Sequence, residues 1–209
     1  MNSFGKLVGC FAFRVTVFAV QVRWFTFLLS FWVLSVTAAE PLVVKDLDGV
    51  TRTPLEVGEA NAVVLVFITH DCPVANGYVP EYRRLFGEYH DRGIGFTLVH
   101  VDPDARTERL RRHRNEFGLQ SLAVVHDLRH ELVRAVGAEM TPEAVVVVSG
   151  GAVCYRGRVD NLYADYGKRR REPTRRDLRN ALDAILAGRP VPVARTEVIG
   201  CHIPPLRLP

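Results

Sequence analysis

The residues of this chain best suited to chemistry fall in one short stretch, THDCPVAN, from Thr69 to Asn76. Cys72 there follows an apolar run, AVVLVFI, and precedes a helix-like one, GYVPEYRRLFGEY. A cysteine at the first turn of a helix faces backbone N–H groups without partners and the positive end of the helix dipole. Both favour the thiolate, which is the nucleophile in exchange reactions and the form that binds metals. Thr69 and His70 precede Cys72, and Pro73 follows it, so a hydroxyl and an imidazole lie within reach of the sulfur. His70 is a candidate for activating the thiolate, although a histidine beside a turn is often simply solvated. Far along the chain, VIGCHIP brings a second cysteine and another histidine, Cys201 and His202.

Cysteine usage depends on where the chain resides. Residues 1–39 hold Lys6, Arg14 and Arg23, no acidic residue, and the apolar run WFTFLLSFWVLSV followed by TAAE. That pattern is an export signal with cleavage after Ala38 or Ala39. An uncleaved membrane anchor is the competing reading, because apolar residues also precede Arg23 and a span needs roughly 20 residues. Either way the rest of the chain is expected outside the cytoplasm, periplasmic or extracellular. Removing the three basic residues from the 27 leaves 24 against 23 acidic ones, a net charge of +1, so the basic balance gives no reason to expect a nucleic-acid partner. Cys10 leaves with the signal. Cys72, Cys154 and Cys201 then remain, an odd number that excludes a fully paired disulfide framework within one monomer.

The rest of the chain supplies a scaffold. Pro41–Ala60 suits a hairpin or an extended arm, being broken by Asp-Gly and Gly-Glu. Ala62–Ile68 and Gly93–Asp102 read as strands buried on both faces. Helices are expected over Gly77–His90, over Asp104–Gly118 with Asp104 as its cap, and over Leu128–Gly137. Leu122–Asp127 reads as a short strand or an extended segment. The runs AVVVVS and AVCYRGRV around Gly150-Gly151 predict a two-residue hairpin, in which Cys154 is a small packing residue. A last helix, Thr174–Gly188, has Thr174 as cap and Asp177 at the capping-box position. The tail, residues 189–209, has too many prolines for regular structure. Strand and helix alternate and then give way to a hairpin, an α/β sheet with parallel and antiparallel parts, whose reactive groups gather at the carboxyl ends of the parallel strands. His100, inside an apolar strand, is expected to be a satisfied core histidine.

The pattern from about Val43 to Gly188 resembles the thioredoxin-like superfamily, the redoxin group that includes alkyl hydroperoxide reductase and the thiol-specific antioxidant proteins. Phe67 lies five residues before Cys72 and Pro80 eight after it, where thioredoxins carry a helix-kinking proline, and Thr141-Pro142 resembles the family's cis-proline loop. The resemblance implies a thioredoxin-like fold over residues 40–188, a substrate groove formed by Thr141, Pro142, Pro73 and His70, and no cofactor. Ala75 stands where a dithiol thioredoxin has its resolving cysteine.

Three mechanisms are compatible with that loss. One is thiol-disulfide exchange, with Cys72 as nucleophile and either a mixed disulfide with a partner or a distant resolving cysteine, for which Cys201 is the candidate. Another is a thiol peroxidase of the peroxiredoxin kind, in which Thr69 assists Cys72, although Leu65 occupies the motif's proline position. The third is a non-catalytic module that binds a partner or Cu(I) through His70, Cys72, Cys201 and His202. The leading reading uses no metal. Its expected partners are protein thiols and disulfides or peroxide, with an envelope redox protein as a candidate partner and membrane association only through residues 1–39. The basic stretch KRRREPTRRDLR, Lys168–Arg179, reads as a solvated loop and helix start, or as a contact for anionic lipid or an acidic partner.

Overall fold

The computed structural model describes residues 40–206. The expected signal or anchor, residues 1–39, lies outside the described residues. Among the described residues no helix is long and apolar enough to cross a membrane.

The described residues open with a small hairpin, β1 (Val44–Lys45) and β2 (Thr51–Arg52), then enter β3 (Ala62–Ile68). A short helix α1 (Pro73–Gly77) leads into α2 (Val79–Tyr89), followed by β4 (Ile94–His100), α3 (Thr107–Glu116), β5 (Ala123–His126) and α4 (Glu131–Val136). Then come β6 (Met140–Thr141), β7 (Glu143–Val148), β8 (Ala152–Gly157), the hairpin β9 (Tyr163–Asp165) and β10 (Lys168–Arg169), α5 (Asp177–Leu186) and β11 (Cys201–His202). The central sheet has the order β5-β4-β3-β7-β8. β3, β4 and β5 are parallel, while β7 and β8 run antiparallel to their neighbours. The arrangement is the thioredoxin-like α/β fold with its mixed sheet.

Both faces of the sheet are covered, which explains the continuous apolar runs. Val64, Val66 and Ile68 of β3 point into a core with Leu98, Tyr82, Leu85 and Leu182. Leu65 and Phe67 point the other way, toward Val99, Leu132, Val145 and Val147. The two-residue period of the strand thus feeds two cores from one segment. β3 ends at Ile68, and the next turn delivers Cys72 to the carboxyl edge of the parallel strands.

Several boundaries differ from the sequence reading. The expected helix over Gly77–His90 is two helices, broken at Tyr78, with Pro80 in the first turn of α2 rather than inside a continuous helix. A proline is accommodated there because first-turn N–H groups have no intrahelical acceptor. α3 begins at Thr107 with Arg106 as its cap residue and no side-chain cap, not at Asp104. Thr174 does not cap α5, which starts at Asp177. Its hydroxyl instead accepts a hydrogen bond from the Asn161 side chain at 2.8 Å, so a distant amide has replaced the local cap. The β7–β8 connection is a three-residue turn, Ser149–Gly151, one residue longer than expected.

The Pro-rich tail is irregular apart from β11, yet it is fastened along its length. Arg156 N–H donates to Ala194 O at 2.9 Å, and Thr196 N–H donates to Arg156 O at 3.1 Å. The Thr196 hydroxyl also receives the Arg158 N–H at 3.1 Å. Beyond these contacts β11 pairs antiparallel with β6, Cys201 opposite Thr141 and His202 opposite Met140.

Candidate active site

Cys72 is the N-cap residue of α1, and its sulfur accepts from the Ala75 N–H at 3.5 Å. Pro73 fills the first position of that helix. The thiol donates to the Thr141 carbonyl at 3.3 Å, across the fold. The Thr141–Pro142 bond is cis, as the resemblance implied, and Thr141 is fully buried. Thr69, also buried, offers its backbone carbonyl to the Cys72 N–H at 3.4 Å.

The tail brings Cys201 to the same place. Its Sγ lies 2.9 Å from Cys72 Sγ, although 129 residues separate them. Gly200 permits that approach, since a Cβ there would lie 2.9 Å from the Thr141 carbonyl carbon and 3.1 Å from Pro142 Cδ, driven against the carbonyl itself. Cys72 is only 1% exposed. The Cys201 thiol is pushed up to about 12, first by burial, then by its hydrogen bond to Cys72 and the charges of Cys72 and Asp71. The raised pKa favours the protonated form of Cys201, and the two sulfurs share a hydrogen bond. Two thiols so placed can give up two electrons and two protons and close a disulfide with a small shift, since an S–S bond is about 2.0 Å long.

The same geometry bears on the metal alternative. Bonds of about 2.3 Å from both sulfurs to one ion would have to span the 2.9 Å separation at an angle well under a right angle. Among the described residues, the one group of three or more ligand types within 4.8 Å is His70, Asp71 and Asp102, without either cysteine. The set His70, Cys72, Cys201 and His202 is thus not assembled. His202 is exposed, opposite Met140 in the β6–β11 ladder, and His70 is turned toward Asp102.

Asp102, Asn76 and His113 form a polar network beside the cysteine loop that the sequence reading missed. Asp102 Oδ1 accepts from His70 Nδ1 at 2.6 Å, and Oδ2 accepts from His100 Nδ1 at 3.1 Å. A carboxylate only accepts, so both rings carry their proton on Nδ1. The His70 N–H also reaches this carboxylate, at 3.3 Å. Asn76 donates to His70 O at 3.0 Å, and its Oδ1 accepts from His113 Nε2 at 2.8 Å. Burial works against the Asp102 charge, but the hydrogen bonds from His100 and His70 outweigh it and hold its carboxyl below the ordinary range. Burial pushes His100 down, and pushes His113 down to about 4 with help from the charges of His100 and His70. His100 is only half satisfied, because its buried Nε2 has no partner among the described residues. An Asp at the carboxyl end of a parallel strand was the available signal.

Cys154 stands apart. Half-buried in β8, it donates to Val146 O at 3.4 Å, and burial raises its pKa.

A thioredoxin-like sheet with a cysteine at the N-terminus of a helix, facing a cis-proline, defines a redoxin. The AhpC/TSA family model matches residues 37–156, more than half of the chain, and the chain belongs to that family. The match ends before the tail that carries Cys201. Among solved structures, an uncharacterized conserved protein from Geobacillus kaustophilus is 27% identical, with 79% of this chain and 88% of that one covered and a TM-score of 0.68. A hypothetical protein from Sinorhizobium meliloti 1021 is 25% identical, with 78% and 89% covered and a TM-score of 0.67. A secreted Mycobacterium tuberculosis disulfide oxidoreductase is a fainter likeness, 15% identical over 71% of this chain and 96% of its own, with a TM-score of 0.49. No curated protein matches the chain.

Proposed function

We propose that the protein is an exported thiol-disulfide oxidoreductase in which Cys72 is the nucleophile and Cys201 the resolving cysteine. The observation that carries this reading is the 2.9 Å separation of the two sulfurs. In the oxidising half-reaction the Cys72 thiolate attacks a substrate disulfide, forming a mixed disulfide and releasing one substrate thiolate. Cys201 then passes its proton to the leaving sulfur as its own sulfur attacks Cys72 Sγ, the second substrate thiol departs, and the Cys72–Cys201 disulfide remains. A partner dithiol run through the same steps backwards regenerates the two thiols. Thr141, Pro142, Pro73 and His70 form the groove in this reading, Thr141 meeting the sulfur through its carbonyl. Residues 1–39 supply the export signal.

Family membership supports peroxide as a second oxidant class. In that case Cys72 would pass through a sulfenic acid, which the Cys201 thiol converts to the same disulfide with loss of water. Two observations favour exchange. Leu65, at the peroxidase motif's proline position, is fully buried in mid-β3 between Thr97 and Val145, where a proline would break the ladder. Among the described residues no arginine contacts the Cys72 sulfur; Arg109 lies instead at 3.4 Å from His70 Nε2.

The test is kinetic. Reduced wild type, Cys72→Ser and Cys201→Ser are each mixed with a chromogenic aromatic disulfide and, separately, with hydrogen peroxide. Exchange requires that Cys72→Ser be inert and that Cys201→Ser release only one thiol per disulfide, stalling as the mixed species. Rapid peroxide consumption with no reaction toward the disulfide would replace exchange with the peroxidase reading, and unchanged rates in Cys72→Ser would remove both.

A further inference from the structure

We propose that the stretch from β9 to the start of α5 is a cationic docking surface for an acidic segment lying beside the cysteine of the protein partner; this rests on the exchange reading above. Residues 168–176 carry Lys168, Arg169, Arg170, Arg171, Arg175 and Arg176 against the single acidic residue Glu172, in a domain that is close to charge balance only when this stretch is counted. Two of these are engaged: Lys168 pairs with Asp165 at 3.0 Å, and Arg170 donates to Asn161 O at 2.7 Å. Arg169, Arg171 and Arg175 are exposed, and their side chains make no ion pair or hydrogen bond among the described residues. The contrast with other arginines is informative. Arg158 is bound to Asp177 at 2.7 Å, and Arg179 to Glu81 at 3.5 Å and to Glu88, so the fold neutralises guanidinium groups where it uses them.

The placement ties this charge to the sulfurs. Tyr163, at the root of the β9–β10 hairpin, holds its hydroxyl so close over Gly77 that no Cβ fits there, with Cζ 3.4 Å from where one would be. Gly77 ends the helix that Cys72 begins. The Tyr163 ring lies 5.4 Å from that of Tyr78, whose hydroxyl is anchored on Asp160 at 2.7 Å. On its other side the stretch borders the tail, because Arg170, Arg175 and Tyr163 share one polar cleft with Glu197 and Ile199, just before Cys201. Tyr166, at the hairpin tip, is 64% exposed. Exposed tyrosine and unpaired arginine are the residue types that carry most binding energy at protein interfaces. A carboxylate held by Arg169, Arg171 or Arg175 would bring its own chain against the edge where Cys72 and Cys201 meet. That proximity favours a thiol-bearing protein segment over a lipid surface, for which adjacency to the sulfurs would have no use.

The experiment measures second-order rates at which the reduced protein consumes three symmetrical peptide disulfides, with glutamates, with lysines, or with Gly and Ser flanking the cysteine. Each turnover releases two peptide thiols and leaves the Cys72–Cys201 disulfide. At about 0.01 M salt the glutamate peptide is expected to react about tenfold faster than the lysine peptide, and the gap to close near 1 M, where the Debye length is about 3 Å. R169E/R171E should reverse the order, whereas R106E/R112E, the same change in net charge at the N-cap and in the body of α3, should retain it. Equal rates for the charged peptides, with the Gly/Ser peptide reacting, would overturn the docking surface and leave exchange intact. So would loss of the preference in R106E/R112E, which would make it a net-charge effect, or sedimentation with phosphatidylglycerol vesicles without any peptide preference. Failure of the Gly/Ser peptide itself would remove exchange and the docking surface with it.

Discussion

The two cysteines that meet at the site reach it by opposite means. Cys72 is placed by its neighbours in sequence: a buried strand, a tight turn and a proline-started helix put the sulfur on its own Ala75 N–H. Cys201 is placed by distant residues, through the hydrogen bonds of Arg156 with Ala194 and Thr196, the β6–β11 pairing, and a glycine that lets the tail lie on the Thr141 carbonyl. On the exchange reading, local placement suits the nucleophile and long-range placement suits a resolving partner. With the tail seated Cys72 is almost fully buried, so the exchange reading predicts that a protein substrate reaches it only when β11 leaves β6.

Substitutions can break each arm separately. The largest effect is expected for Cys72→Ser, a loss of disulfide exchange by about a thousandfold or more, as for removal of any covalent nucleophile; a stopped-flow assay with a chromogenic disulfide reads it. Next is Gly200→Ala, which leaves Cys72 untouched but forces its Cβ against the Thr141 carbonyl. Closure of the Cys72–Cys201 disulfide should slow by about tenfold to a hundredfold, the scale of a misplacement of about 1 Å, and alkylation of Cys72 should speed up. Unaltered closure would mean that the tail is not seated as described.

A smaller effect sharpens the local arm. His113 is held neutral down to about pH 4, against 6.5 when unfolded. The unfolded chain therefore binds the proton first. The stability this contributes is complete above pH 6.5 and is lost as pH falls toward 4, and His100 acts in the same direction. Asp102, with its carboxyl depressed, adds a loss below its ordinary 3.8. Denaturant unfolding at pH 7 and pH 4.5 should differ by on the order of 2–3 kcal/mol, with a flatter acid limb in His113→Gln. The smallest change belongs to Cys154→Ala, expected to cost about 1 kcal/mol or less and to leave exchange rates as they were, because this half-buried thiol packs against the core and its hydrogen bond goes to Val146 O, not to Cys72.

The same division explains what could be read from the sequence. The strands β3, β4 and β7 were legible because burial on both faces leaves unbroken apolar runs, and Cys72 was legible because its surroundings are adjacent in sequence. The cis bond at Pro142 was inferred from family resemblance. The cap of α5 was misread because Asn161, thirteen residues upstream, takes the Thr174 hydroxyl that a local rule assigns to the helix. β6 and β11, two residues each, are too short to show any period. The distance between Cys72 and Cys201 could not be read for the same reason, since no local pattern encodes a contact across 129 residues. The Asp102 network is assembled from β4, α1 and α3, and its histidines look unremarkable one at a time.

The most direct measurement is a peptide mass map of residues 40–209, mildly oxidised and alkylated without reduction. The expected result is a peptide pair joined through Cys72 and Cys201, with Cys154 alkylated. Cys72 recovered as a fully alkylated free thiol, or joined to Cys154, would contradict the two-cysteine site.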